Sequence, residues 1–267
     1  MATYENVLLD VQGRIATLTL NQPDNRNALG EDMINDILAA CQEVQNNREL
    51  SVMILTGAGK SFCAGGNVKN MQKRIDADEE TPMQMPIRYR EGIQRLPKMF
   101  YGMDIPIIAA INGAAVGAGC DLTFFCDVRI ATPFAKFGEV FIDLGFVPGD
   151  GGPWFIVREL GFQRTAYLAL TGKVIDIEEA QHLRMVHKVV EPDQLMPEAL
   201  RLAEIIAAKP PAALRLTKKL LRHATRLELD TFLDMTAFAQ GLAISTEDYK
   251  AAIAARLTQS RPTFVGR

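Results

Sequence analysis

The chain is poor in the residues on which several chemistries depend. It holds 3 histidines in 267 residues. His182, His187 and His223 show no H-E-x-x-H spacing, so no metal site is expected and a zinc hydrolase is excluded. The 4 cysteines form no C-x-x-C pair. The opening residues, Met1 to Asn6, have neither the basic nor the apolar stretch of a secretory signal. Together these features lead us to expect reduced thiols and a cytoplasmic protein. The longest run without charge, from Ile105 to Cys120, is too short and too rich in glycine for a membrane span. A basic excess is missing too: 29 Lys+Arg face 32 Asp+Glu, a net charge of −3. Nucleic acid is therefore not the expected partner, although a local patch of cations for one phosphorylated ligand stays open.

What is present describes a folded globular chain, with 48% hydrophobic and 23% charged residues. Its length fits one large domain, or one with an appendage. Residues 7–11 and 14–20 read as two strands around Gln12-Gly13, the second alternating with period two. Met33, Ile37, Cys41 and Val44, with Ile34 and Leu38, make an apolar stripe at helical spacing. Further buried strands are expected over 51–56, 105–111 and 128–132. From Gly151 onward the pattern reads as almost wholly helical, over 154–159, 165–170, 177–183, 195–208, 212–221, 227–243 and 246–257. This order predicts a mixed α/β core over residues 1–200 and a helical region over 201–267. The charged stretch 76–82, with Met83, Met85, Met99 and Met103 around it, reads as a solvated surface loop before a core helix. The alternative is a lid, since methionine suits an adaptable pocket wall.

Three glycine-rich segments compete as sites of chemistry. Gly57-Ala58-Gly59-Lys60-Ser61 looks like the end of a P-loop, but Ile54 stands where that motif needs its first glycine. Gly117-Ala118-Gly119-Cys120-Asp121-Leu122 follows a strand and opens a helix, as a dinucleotide-binding turn does, but Leu122 replaces the third glycine. The physics outlives the failed motif: small residues let a ligand approach the backbone, and free amides at a helix start suit a developing oxyanion. Ser61 to Val68, around Ala64-Gly65-Gly66, is a second strand end without bulky side chains. Two such loops, each giving one amide, could form a two-point oxyanion hole.

Several segments together resemble the crotonase (enoyl-CoA hydratase/isomerase) superfamily. They are Asn21-x-Pro23-x-x-x-Asn27-Ala28-Leu29, Gly57 to Gly66, Ile108 to Gly119, Cys126 to Ala131, Phe137-Gly138, Leu144 to Gly152 and the ending Arg261-Pro262-x-Phe264. The resemblance spans essentially the whole chain. It implies a ββα spiral core, a helical C-terminal region that assembles trimers or hexamers, and an acyl-CoA thioester as substrate. Coenzyme A then enters as part of the substrate, with no separate cofactor. It also implies that the thioester carbonyl sits between the amides of Gly66 and Ala118. The coenzyme would lie near Arg26, Ala28, Ala64, Gly65 and Asn67, with Phe264, from this or a neighbouring subunit, over the adenine.

The acids depart from the hydratase pattern. Of that pattern's two glutamates, the first aligns with Asp121, which is one methylene shorter, and the second with Phe141, which transfers no proton. Asp150, in Gly149-Asp150-Gly151-Gly152, resembles the catalytic aspartate of crotonase-type isomerases; it could equally cap the helix that follows. Asp121 could likewise be an ordinary acid near a helix start. Glu139 and Asp143 read as surface charge, and Phe141 as the wall of an apolar acyl pocket. One acid opposite an oxyanion hole suits double-bond migration. Hydration shared between Asp121 and Asp150 is the alternative, and a binding protein without activity a third reading. A dinucleotide-dependent oxidoreductase rests on Gly117-x-Gly119 alone.

Overall fold

The structure is a computed structural model describing residues 3–77 and 81–266, so three acidic-stretch residues, 78–80, lie outside it. Among the described residues the strands are β1 (Val7–Gln12), β2 (Ile15–Leu20), β3 (Val52–Gly57), β4 (Ser61–Cys63), β5 (Ile107–Ile111), β6 (Ala114–Val116), β7 (Val128–Ala131), β8 (Phe137–Gly138), β9 (Val174–Ile175) and β10 (Lys188–Val189). They form a six-stranded sheet in the order β1-β2-β3-β5-β7-β10 and a four-stranded sheet in the order β4-β6-β8-β9. From β3 onward the chain gives one strand to the large sheet and the next to the small one. It repeats this at β5 and β6, and again at β7 and β8. Each repeat is a turn of a spiral, and the turns stack by parallel pairing such as Met53 with Ile107 and Ile108 with Val128.

Burial follows from the pattern. In β2, Ala16, Leu18 and Leu20 point inward and are fully buried. β3 and β5 are covered on both faces, which is why they are continuously apolar. α1 (Glu31–Asn46) buries the expected stripe from Met33 to Val44 in the main core. Helices α2 (Val68–Ala77), α3 (Gln84–Glu91) and α4 (Arg95–Gly102) follow β4. Of these, α2 and α3 bury no residue and α4 buries Leu96 and Phe100, so a core helix stands behind a solvated segment.

α5 (Ala118–Phe124) is buried throughout. It packs on α6 (Gly152–Leu160), which leads into α7 (Phe162–Thr171) and α8 (Ile177–His182). α9 (Leu195–Ala207) lays Leu195, Ala199 and Ala203 on the outer face of the large sheet, against Val52, Ile54, Ile108, Ala110 and Ile130. The boundary between 200 and 201 falls inside this helix. α10 (Pro211–Ala224), α11 (Leu229–Ile244) and α12 (Glu247–Thr258) complete the chain. No helix of the described residues is long and apolar enough to cross a membrane.

Two features differ from the sequence reading. β9 and β10 interrupt the stretch read as helical; at two residues each they are too short to show a period. The inward face of α10 is also cationic. Lys218 is buried, with Nζ 2.5 Å from the carbonyl of Ile105 and 2.7 Å from Asp127, and burial pushes its pKa down to about 8. Arg222 donates to the carbonyl of Phe100 at 2.9 Å and Arg215 to that of Leu50 at 3.0 Å. These cations fill carbonyls at the ends of α4 and of the loop after α1, which an apolar side chain would leave unpaired.

Candidate active site

The two glycine loops interlock. A β-carbon on Gly65, where φ is +78°, would stand 2.4 Å from the Val116 carbonyl oxygen and 3.2 Å from the Ala118 nitrogen. One on Gly119 would stand 2.1 Å from the Cys63 carbonyl oxygen. Each loop is thus glycine because the other's backbone occupies the side-chain space. Gly117, at φ +55°, donates its N–H to Gly138 at 2.7 Å and turns β6 into α5. Ala118 is the first residue of that helix, so its N–H has no intrahelical acceptor.

Asn27 fastens the neighbouring segment. Fully buried, it donates to the carbonyls of Ala58 at 3.0 Å and Ser61 at 2.9 Å and accepts from the Gln22 N–H at 2.9 Å. Arg26 and Asn27 both take left-handed backbone, at φ 58° and 56°. The segment is then stitched to the Ala64–Gly65 loop by Ala64 N–H to Arg26 at 2.9 Å and Leu29 N–H to Gly65 at 2.7 Å.

These loops open on a cavity of about 650 Å³ whose lining includes Ala64, Gly66, Asn67, Ala118, Phe141 and Asp150. Gly65 supports this wall from beneath, and Ala28 is buried beside the lining residue Leu29. Arg26 is exposed and outside the lining. Phe264 lies elsewhere, its carbonyl accepting from Arg14 at 3.2 Å, while Asp248 takes the following amides of Val265 and Gly266 at 2.7 and 2.9 Å. The cations that do line the cavity, Arg74, Arg88 and Arg95, come from α2–α4. So do Met71, Ile87 and Tyr89, whereas Met83, Met85, Met99 and Met103, the methionines offered for a lid, are not in this lining. Phe141 meets Phe146 edge to face at 5.7 Å.

The acids sort themselves by position. Asp150 is 3% exposed and is the buried carboxylate in the lining; Glu31 and Glu91 also line it but are exposed. Its Oδ1 accepts the Gly152 N–H at 3.3 Å and its Oδ2 has no hydrogen-bond partner. A weak helix-start contact and a pocket position therefore coexist. Asp121 is wholly buried behind Asp150 and does not reach the cavity. Glu139, read above as surface charge, is 1% exposed and faces the same pair, because the chain curls into a short helical turn after β8 instead of continuing as a strand. Asp143 stays exposed.

Three buried carboxyls thus share one space, with no cation beside them among the described residues. Burial raises all three above the usual carboxylate range. For Asp121 the charges of Asp150 and Glu139 push further the same way. Glu139 is pushed up to about 7 by burial and then by Asp150, against hydrogen bonds from Cys120 and Asp121. In Asp150 the rise is opposed by hydrogen bonds from Asp121 and the Gly152 amide. A carboxylate poised this way, lining one cavity with Gly66 and Ala118, can take a proton from carbon and give it back.

The chain is similar over its full length to known proteins. The family profile described as Enoyl-CoA hydratase/isomerase matches residues 10–267. A crotonyl-CoA hydratase of Syntrophomonas wolfei is 34% identical over 265 residues, covering 99% of both chains. A 1,2-epoxyphenylacetyl-CoA isomerase of Escherichia coli is 33% identical over 266 residues, covering 98% of this chain and 99% of its own. The crystal structure of an enoyl-CoA hydratase from Bacillus anthracis superposes with a TM-score of 0.91 at 30% identity, covering 98% of this chain and all of that one. The spiral fold, the interlocked glycine loops and these matches agree: the chain belongs to the enoyl-CoA hydratase/isomerase family of the crotonase superfamily and is an enzyme of that family.

Proposed function

We propose that the enzyme moves the double bond of an enoyl-CoA by proton transfer through Asp150. The observation that carries this reading is the single buried carboxylate in the cavity wall, with Phe141 where a second acid would be needed. The amides of Gly66 and Ala118 hold the thioester oxygen as negative charge develops on it. Such donors are each worth a few kcal/mol in the transition state. Asp150 removes a proton from the carbon alpha or gamma to the thioester and returns it to the other, so the substrate's mass does not change. The coenzyme part lies along residues 26–29 and 64–67, where Arg26 could meet a phosphate. Nothing in this chemistry calls for a resident cofactor.

Hydration is the second reading, favoured by the contact between Asp121 and Asp150 and by relatives named as hydratases. In it Asp121 and Asp150 divide the two roles, with Asp150 facing water and substrate and Asp121 exchanging protons through it. Incubation with crotonyl-CoA and with a 3-enoyl-CoA separates the two, since hydration adds one water to the mass and migration adds nothing. No turnover of either would favour the binding role.

The working form is read as a homotrimer, or a hexamer made of two trimers. Phe238 is 78% exposed, and Leu233, Leu242 and Leu257 of α11 and α12 are exposed too. Exposed apolar side chains of that size fit a second copy of the chain. The buried, unpaired cysteines fit a reducing cytoplasm.

A further inference from the structure

Glu139 is buried beside the cavity, yet the chemistry above gives it no task. The titratable groups facing it are Cys120 and Asp121 of α5 and Asp150 of the loop before α6. With all three ionised, both oxygens of Glu139, both of Asp121 and Oδ2 of Asp150 would find no donor among one another. An ionised carboxylate only accepts hydrogen bonds. No backbone amide reaches these five oxygens, so apart from the Cys120 thiol the protons available to bridge them are those of the carboxyls themselves. Like charges so close and so buried do not persist together, and protons are retained. Asp121 stands between the other two, within hydrogen-bonding reach of each, with one O–H to give.

We propose that Glu139 is a positioning residue that competes with Asp150 for the Asp121 proton and thereby sets how basic the cavity-facing carboxylate is. When Glu139 is ionised it draws the Asp121 hydroxyl toward itself and leaves the outward oxygen of Asp150 bare. When Glu139 is protonated, the Asp121 hydroxyl turns to Asp150 and weakens it as a base. The pair and its neighbour then titrate as one unit. The proposal rests on Asp150 being the base, but its test requires no substrate.

The test is a pH titration of the carboxyl carbons by NMR on protein labelled with carbon-13 in aspartate and glutamate, with the Asp150 signal assigned through Asp150→Asn. The expected Asp150 curve has two steps, one of them near pH 7. In Glu139→Gln that upper step disappears and the remaining one moves to lower pH. Cys120→Ala keeps all three acids but removes the thiol that supports ionised Glu139, so the upper step moves up by a measurable fraction of a unit. An Asp150 curve that is the same in wild type and Glu139→Gln overturns the proposal. So does an upper step that Cys120→Ala leaves in place. In turnover, Glu139→Gln is expected to shift the acid limb of kcat with KM unchanged. Loss of turnover in the wild type would sink the isomerase reading and leave the titration result standing.

Discussion

The carboxyl of Asp121 occupies the space in which a side chain on residue 152 would begin. A β-carbon on Gly152 would lie 1.5 Å from Asp121 Oδ1 and 1.8 Å from its Cγ. The glycine at the start of α6 is therefore what lets an acid on α5 reach Asp150. Gly152→Ala is expected to cost about 1–3 kcal/mol through overpacking. With Asp121→Ala in the same chain most of that loss is recovered. Thermal melts of the two single variants and the double variant check this: the account expects a coupling of roughly 1 kcal/mol or more, and simple additivity would contradict it.

Gly65→Ala is the sharpest test of the loop geometry. The new methyl meets the Val116 carbonyl and the Ala118 nitrogen from a left-handed backbone, so it forces apart the loops that carry the two amides. We expect kcat to fall about 10²-fold or more, comparable to losing one oxyanion donor. Gly66→Ala meets only the flexible end of Met71 at 2.6 Å and is expected to do less. Steady-state kinetics of the two variants decide the order.

The acid trio makes stability depend on pH in a definite direction. Glu139 has a folded-state pKa raised from 4.5 to about 7, so the folded protein keeps a proton that the unfolded chain releases. That contribution is complete below about pH 4.5 and is lost as pH rises through 7. Glu139→Gln, neutral throughout, is expected to melt above the wild type at pH 8, with the gap closing toward pH 4.5. Melting curves across that range check it; a gap that widens toward low pH has the wrong sign.

Oligomerisation is expected to depend on the exposed face of α11. Phe238→Asp, at a position 78% exposed in the single chain, is expected to reduce the sedimenting species from a trimer or larger to smaller forms. The circular dichroism spectrum should be unchanged. A wild-type chain that sediments as a monomer would contradict the assembly.

Much of this architecture was legible in the residues. Alternation in β2, the stripe on α1 and the unbroken apolar runs of the doubly covered strands β3 and β5 are each a pattern that burial imposes. The two glycine loops were legible for the same reason, since close backbone approach excludes side chains. What escaped was set by tertiary contact. Lys218 turns inward to the carbonyl of Ile105, in the loop before β5, and to Asp127, both far away in sequence, and no local pattern marks it. Glu139 reads as surface charge in the sequence, strand alternation placing it only on the side of Phe141, and the turn after Gly138 swings it toward Asp150. Phe264 resembles an adenine cover by motif; within its own chain it is held at the start of β2, which leaves that role to the site of a neighbouring subunit.

The central claim is that Asp150 alone moves the proton. The most direct measurement is turnover of a 3-enoyl-CoA in deuterium oxide by wild type and Asp150→Asn, followed by mass and by NMR of the acyl carbons. The account predicts a 2-enoyl-CoA product with no added water, in which the proton taken from the alpha carbon is returned to the gamma carbon, so that any solvent deuterium stands at that carbon and enters only as Asp150 exchanges before returning it. It also predicts a kcat at least about 10²-fold lower in Asp150→Asn with KM little changed. A product heavier by one water, or an Asp150→Asn variant as fast as the wild type, would contradict it.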